Sequence, residues 1–303
     1  MRVGGQAVME GVLMRSPNFW GMAVRTPAGT VDVQTEPFYS ITRKNKLFRL
    51  PIIRGFLSLV ETLWLGMKAL ALSTNIALGE EEDLSKKEIA ATMIFGIGLA
   101  FLLFLAAPVW GTKGIGLLIG ESIENPILFN VIEGIIRIAI FMAYLVLITL
   151  ISKDIRRFFA YHGAEHKAIK VYERGEELIP ENARKLDTSH VRCGTSFVLY
   201  VLILSILVFS FLGVEGWLWM ILSRVLVIPL VAGLAFEFIM WSAKNQENPV
   251  VRALVWPGLQ LQKLTTREPT DDQVEVAMAS LKKVLAAEEE ARITPDATNK
   301  LVL

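Results

Sequence analysis

The sequence predicts a mainly α-helical, polytopic membrane protein with four transmembrane helices, one amphipathic or re-entrant helix and a small β-containing N-terminal cap. Two observations lead there. Hydrophobic residues make up 53% of the 303 and charged residues only 20%, a balance unlike that of a soluble domain. Several uninterrupted apolar runs then reach about 20 residues, the length a helix needs to cross a hydrocarbon core of roughly 30 Å. A formal net charge of +1 gives no electrostatic reason to expect nucleic acid as a partner. The lone cysteine, Cys193, excludes an internal disulfide and gives no sign of an oxidising compartment. Met1-Arg2-Val3-Gly4-Gly5 opens without a signal-peptide run, so insertion relies on the internal helices and the lipid bilayer is the first partner.

Residues 1–54 form the cap. Two β-rich runs over 19–38, split by Pro27-Ala28-Gly29, predict a hairpin. Residues 55–78 predict a helix in which Arg54, Glu61, Lys68 and Asn75 recur every seven residues, leaving one polar stripe in an apolar surface. Such a helix either spans with partners inside the bundle, or lies at the interface or re-enters with its stripe in water; the amphipathic criterion favours the second.

The bundle occupies 89–242. Ile89 to Trp110 carries no charge; Ile127 to Ile151 carries Glu133 and Arg137; Phe197 to Val214 and Trp217 to Trp241 form a tight pair around Glu215-Gly216, the latter carrying Arg224, Pro229 and Glu237. Glu133 and Arg137 stand one turn apart, and Arg224 at comparable depth is expected to join them in a buried network that fixes the bundle. Glu237, near the other end of its helix, is the membrane carboxylate placed to approach the loop 152–196. After the bundle, 243–303 reads as a helical tail, with Asp271 to Glu290 amphipathic behind a Thr270-Asp271-Asp272 cap and the final dozen residues frayed.

Orientation follows from basic residues. The loop 152–196 holds nine Lys and Arg, whereas the short loops 111–126 and 214–216 hold Lys113 alone. Both termini and the 152–196 loop are therefore expected in the cytoplasm.

That loop also carries all three histidines, His162, His166 and His190, and Cys193. On a helix His162 and His166 stack one turn apart with Glu165 near the same face. In this H-x-x-E-H arrangement two imidazoles hold zinc and the carboxylate acts as general base. His190 and Cys193 precede the third membrane helix and can fold back to complete a borderline-soft ligand set suited to zinc. The opposing reading puts the histidines on the wet face of a helix extended from the membrane, with no metal. Four protein ligands would close the site as a structural staple, whereas a free position would leave room for catalysis. The leading expectation is a cytosol-facing, metal-dependent hydrolase with His162, His166, His190 and Cys193 as ligands and Glu165 as base. The alternative is a metal-stapled scaffold assisting other membrane proteins or envelope assembly.

Four motifs carry a resemblance. Gly4-Gly5-Gln6-Ala7-Val8-Met9-Glu10-Gly11-Val12-Leu13-Met14-Arg15, Tyr161-His162-Gly163-Ala164-Glu165-His166-Lys167, Arg192-Cys193-Gly194-Thr195-Ser196-Phe197 and Thr265-Thr266-Arg267-Glu268-Pro269 resemble those of the YqhQ family of bacterial membrane proteins. The chain departs at Val191, where such proteins often carry Pro. The resemblance implies a multi-pass protein described as a predicted metal-dependent enzyme, and no more about its chemistry. In the opening motif, Gln6, Glu10 and Arg15 either support a strand and turn packed on the cytosolic face or stand beside the metal loop behind its ligands.

Overall fold

The computed structural model describes residues 1–79, 86–120, 123–212 and 216–293; Glu215 of the expected tight turn and the frayed end after Ile293 lie outside the described residues. The cap is a four-stranded antiparallel meander of β1 (Gly4–Val8), β2 (Gly11–Arg15), β3 (Phe19–Arg25) and β4 (Val31–Pro37), in that order. The expected 19–38 hairpin is β3–β4, its turn closed by Gly29 at φ 83. The opening motif makes the other hairpin. Its turn residue Glu10 adopts φ 50, a conformation that rarely suits a side chain without tertiary support. Support comes from α5 (Lys153–Glu173), where Arg157 clamps the Glu10 carboxylate and the Tyr161 hydroxyl donates to it at 3.2 Å.

Both sheet faces are buried, because successive residues point to opposite sides. Val12, Met14 and Ala23 pack against Ala164 and Ala168 of α5 and against Val274, Ala277 and Leu281 of α10 (Asp271–Ile293). Leu13, Trp20, Met22 and Val24 face Leu65 and Ala69 of α1 (Ile53–Leu78). The stripe predicted on α1 turns toward protein: Glu61 accepts from Ser40 Oγ at 2.9 Å, from the Ile41 amide at 2.5 Å and from Arg15 at 3.3 Å. Lys68 meets Glu36 at 2.8 Å. Arg54 forks onto Glu237 at 2.7 and 2.5 Å, so Glu237 serves α1 and not the His/Cys loop, a correction to the sequence reading.

Four described helices are long and apolar enough to cross a membrane: Ile53–Leu78, Ala90–Ile119, Pro126–Ile151 and Leu218–Ser242. The set differs from the expected four. The first segment, read as Ile89 to Trp110, continues to Ile119 as α2 (Lys86–Phe101), a π-helical turn at Leu102–Ala106 and α3 (Ala107–Ile119). The wider turn ends two residues before Pro108, which has no amide to donate. α4 (Pro126–Ile151) starts on Asn125, whose side chain accepts from the Ile127 and Leu128 amides. The third expected segment is α7 (Gly194–Phe209), 16 residues long and so only ~24 Å. After the short α6 (Pro180–Arg184), α7 and α8 (Trp217–Ser242), an amphipathic α9 (Pro249–Thr265) replaces the featureless start of the expected tail.

Inside the bundle, Glu133, Arg137 and Arg224 form the expected network. Arg224 reaches Glu133 at 2.5 and 3.0 Å and Asn130 at 2.9 Å. Arg137 pairs with Glu133, reaches Ser205 Oγ at 2.9 Å and donates to the Phe104 carbonyl at 2.8 Å. Each charged group is at most 3% exposed.

Candidate metal centre

The site is built where α5 meets the start of α7 and the end of α9. α5 is a new helix and not a continuation of α4, since Ser152 breaks the chain into an extended conformation and caps α5 by accepting from the Ile155 amide. Positions 162, 165 and 166 then share one helix face. The His162 and His166 ring centroids stand 4.5 Å apart.

Each imidazole is held by its Nδ1. His162 Nδ1 lies 2.8 Å from the Thr265 carbonyl, and His166 Nδ1 lies 2.5 Å from the Thr188 carbonyl. A carbonyl only accepts, so both Nδ1 atoms act as donors, and the Nε2 atoms face Cys193 and Glu165. This is the orientation that a metal-ligating histidine takes from its supporting hydrogen bond. Cys193 Sγ sits 3.3 Å from His162 Nε2. One ligand atom from each of His162, His166 and Cys193 falls within 4.8 Å of the others. Cys193 also caps α7, its sulfur accepting from the Thr195 amide at 3.4 Å. Two imidazoles and one thiolate make a donor set that fits zinc.

Glu165 completes the group. Its Oε2 is 3.5 Å from His166 Nε2 and 4.0 Å from His162 Nε2, and the residue is 4% exposed. Burial pushes its carboxyl up to about 7, opposed by His162, Arg192 and the Gly5 amide.

The structure brings four of the five expected residues together and leaves the fifth at the edge. His190 has its ring 5.5 Å from that of His166, but its Nε2 faces Glu173 at 3.4 Å. Arg192 holds the other Glu173 oxygen at 2.5 Å. Hydrogen bonds from His190 and Arg192 bring the Glu173 carboxyl down to about 2, while burial pushes His190 down. A pocket of ≈ 320 Å³ opens on this side, lined by residues that include Ser189, His190 and Arg192.

Several positioning residues had no signal of their own in the sequence. Gln262 of α9 accepts from the His190 amide at 2.8 Å and donates to its carbonyl at 2.9 Å, pinning the 190–193 turn. Gly163 lets the C-terminal motif press onto α5: a Cβ there would meet the Arg267 carbonyl at 2.1 Å. The opening motif reaches the site through Gly5, not through Gln6, Glu10 or Arg15. Gln6 packs on Gly66, and the other two serve Arg157 and Glu61.

A Cβ on Gly5 would fall 2.6 Å from Glu165 Cγ and 2.9 Å from the Leu13 carbonyl. Gly5→Ala must therefore move β1 or Glu165, with an expected cost of about 1–3 kcal/mol. Thermal unfolding of the purified protein should show a lowered midpoint, and an unchanged midpoint would mean that β1 does not close on Glu165.

The family model for a "Protein of unknown function (DUF1385)" matches residues 50–287. The "Uncharacterized protein YqhQ" of Bacillus subtilis (strain 168) is 30% identical over 296 residues, covering 94% of this chain and 92% of that protein. No solved structure matches. The matched stretch takes in α5, the Arg192-Cys193 turn and the Thr265-Thr266 segment, the parts that make the site, and on that agreement the chain belongs to the DUF1385 family, the YqhQ-like membrane proteins that its motifs resemble.

Proposed function

We propose that this protein is a metal-dependent hydrolase of the bacterial cytoplasmic membrane, with its site facing the cytosol. The observation that carries this reading is the paired Nδ1 anchoring of His162 and His166, which turns His162 Nε2 toward Cys193 Sγ and His166 Nε2 toward Glu165, with one ligand atom from each of His162, His166 and Cys193 within 4.8 Å of the others. Three protein ligands leave a fourth position free, the pattern of catalytic zinc sites, whereas structural zinc takes four. A zinc ion held there would act as Lewis acid toward a carbonyl or phosphoryl oxygen and would acidify water. Glu165 lies beside both imidazoles without displacing either, so its carboxylate is within reach of a proton released at that position. His162, with a side chain 16% exposed, marks the approach for substrate. The nine-to-one excess of Lys and Arg in residues 152–196 supports the cytosolic placement.

The competing reading is a metal staple in a protein that assists membrane-protein or envelope assembly. It draws on the burial of Glu165, His166 and Cys193, each at most 4% exposed. Metal analysis of the purified protein and three variants separates the two. Wild type is expected to carry stoichiometric zinc, His166→Ala and Cys193→Ser to lose it, and His190→Ala to keep it. Loss in His190→Ala would make His190 a fourth ligand and favour the staple. Wild type that takes up no zinc removes both readings.

A further inference from the structure

The chain leaves the sheet at Phe38, and Phe38 is buried in the same cluster as Leu65 and Ala69 of α1. The stretch between them is thus an excursion with both ends in one layer. α8 shows how far it goes. A Cβ on Gly233 would lie 2.6 Å from the Ile52 carbonyl, and one on Gly55 would lie 2.9 Å from Phe236. Arg54 pairs with the next residue, Glu237. Gly233 precedes the last residue of α8, Ser242, by nine positions, so the tip of the excursion lies ~13 Å below that helix end. The contacts advance in the same direction along both helices, so α1 rises beside α8 back to the sheet. Its far end reaches Pro27, which a Cβ on Gly79 would approach at 3.2 Å.

The reversal itself is sharp. Ile52, directly after Pro51, holds φ 71, a conformation that a β-branched residue keeps only when the surrounding structure imposes it. Around it Leu47, Leu50, Ile53, Val60, Leu63 and Trp64 are 37–64% exposed. Lys44, Lys46 and Arg49 are exposed among them. The polar stripe of α1 is already engaged by Glu237, Ser40, Arg15 and Glu36, so the free surface is apolar with basic flanks.

We propose that residues 41–64 form a re-entrant hairpin that dips into the leaflet nearer the cap, with Leu50-Pro51-Ile52 among the acyl chains and Lys44, Lys46 and Arg49 at anionic headgroups. Lipid is the occupant because the hairpin is seated on α8, a helix that crosses the bilayer, so its free face lies at lipid depth. Basic side chains can bury their stems there and keep their charge at the headgroups. Trp64 suits the interfacial zone. The length of α1 is then no measure of crossing. The crossings are Ala90–Ile119, α4, α7 and α8, and their even number agrees with the cap, where β1–β4, α5 and α10 pack together.

Cysteine accessibility tests this in the full-length protein, with the unsubstituted chain as control for the buried Cys193. In sealed vesicles, Lys46→Cys is expected to react with a membrane-impermeant maleimide from the same side as Lys185→Cys on the cap. Leu50→Cys and Leu63→Cys should react from neither side until detergent is added. Lys46→Cys reacting only from the opposite side would make α1 a spanning helix, and Leu50→Cys reacting as fast as Lys46→Cys would leave the hairpin in water; either overturns the proposal. In nanodiscs, protection of Leu50→Cys should be several-fold greater in mixed phosphatidylcholine and phosphatidylglycerol than in phosphatidylcholine alone. Equal protection would overturn the headgroup assignment.

Discussion

Glu165→Gln is expected to silence the protein in the cell while leaving its metal content and thermal midpoint as in wild type. The amide has the shape of the carboxylate and still offers an oxygen to the Gly5 amide, which bonds Glu165 in the native site. It cannot take up a proton. Loss of a general base costs about 10²–10⁴-fold in rate, enough to abolish complementation of a deletion strain. His166→Ala should fail in the same assay for a different reason, because it also releases zinc and the folding energy tied to it. The pair of variants therefore reads mechanism separately from stability. Full complementation by Glu165→Gln, with zinc retained, would end the hydrolase reading and leave the staple.

The second large effect lies in the bundle. Glu133→Ala should leave Arg137 and Arg224, both at most 3% exposed, without their shared carboxylate. Removing one partner from a buried ionic group costs about 3–5 kcal/mol, because the remaining charge is stranded. Thermal unfolding in detergent should fall by on the order of 10 °C, or the protein should fail to accumulate. Replacing all three together, as Glu133→Leu, Arg137→Met and Arg224→Met, should recover most of that loss, since apolar replacement of a whole buried network is often neutral. A triple variant that is stable yet inactive would show that the network serves more than packing.

The sequence made the architecture legible wherever one side-chain property repeated along one element. Ile89 to Trp110 announced itself by unbroken apolarity and Ile127 to Ile151 by an apolar run interrupted only by Glu133, Arg137 and a few uncharged polar residues, and the i, i+3, i+4 spacing of His162, Glu165 and His166 survived intact in α5. Segments whose structure depends on distant partners did not. The β1–β2 turn carries Met9-Glu10 and no Asn-Gly or Asp-Gly signal; it forms because Arg157 and Tyr161 hold Glu10 from the middle of the chain. α9 intersperses the exposed Arg252, Pro257 and Lys263 among its apolar positions and sets the polar Gln262 on its buried face, so it resembled a tail until α7 was in place to receive it. His190 joined the expected ligand set by residue type alone. Which way its ring turns depends on Glu173, whose role has no local signature.

The anchoring of His162 by the Thr265 carbonyl bears on how the protein is made. The parts of the centre come from both ends of the chain: Gly5 near the start, His162 to Cys193 in the middle and Thr265 close to the finish. A nascent chain that has inserted every apolar helix still lacks the group that orients its first imidazole. If the site takes a metal as proposed, its ligand set would be complete only once α9 has been made and packed against α5 and α7.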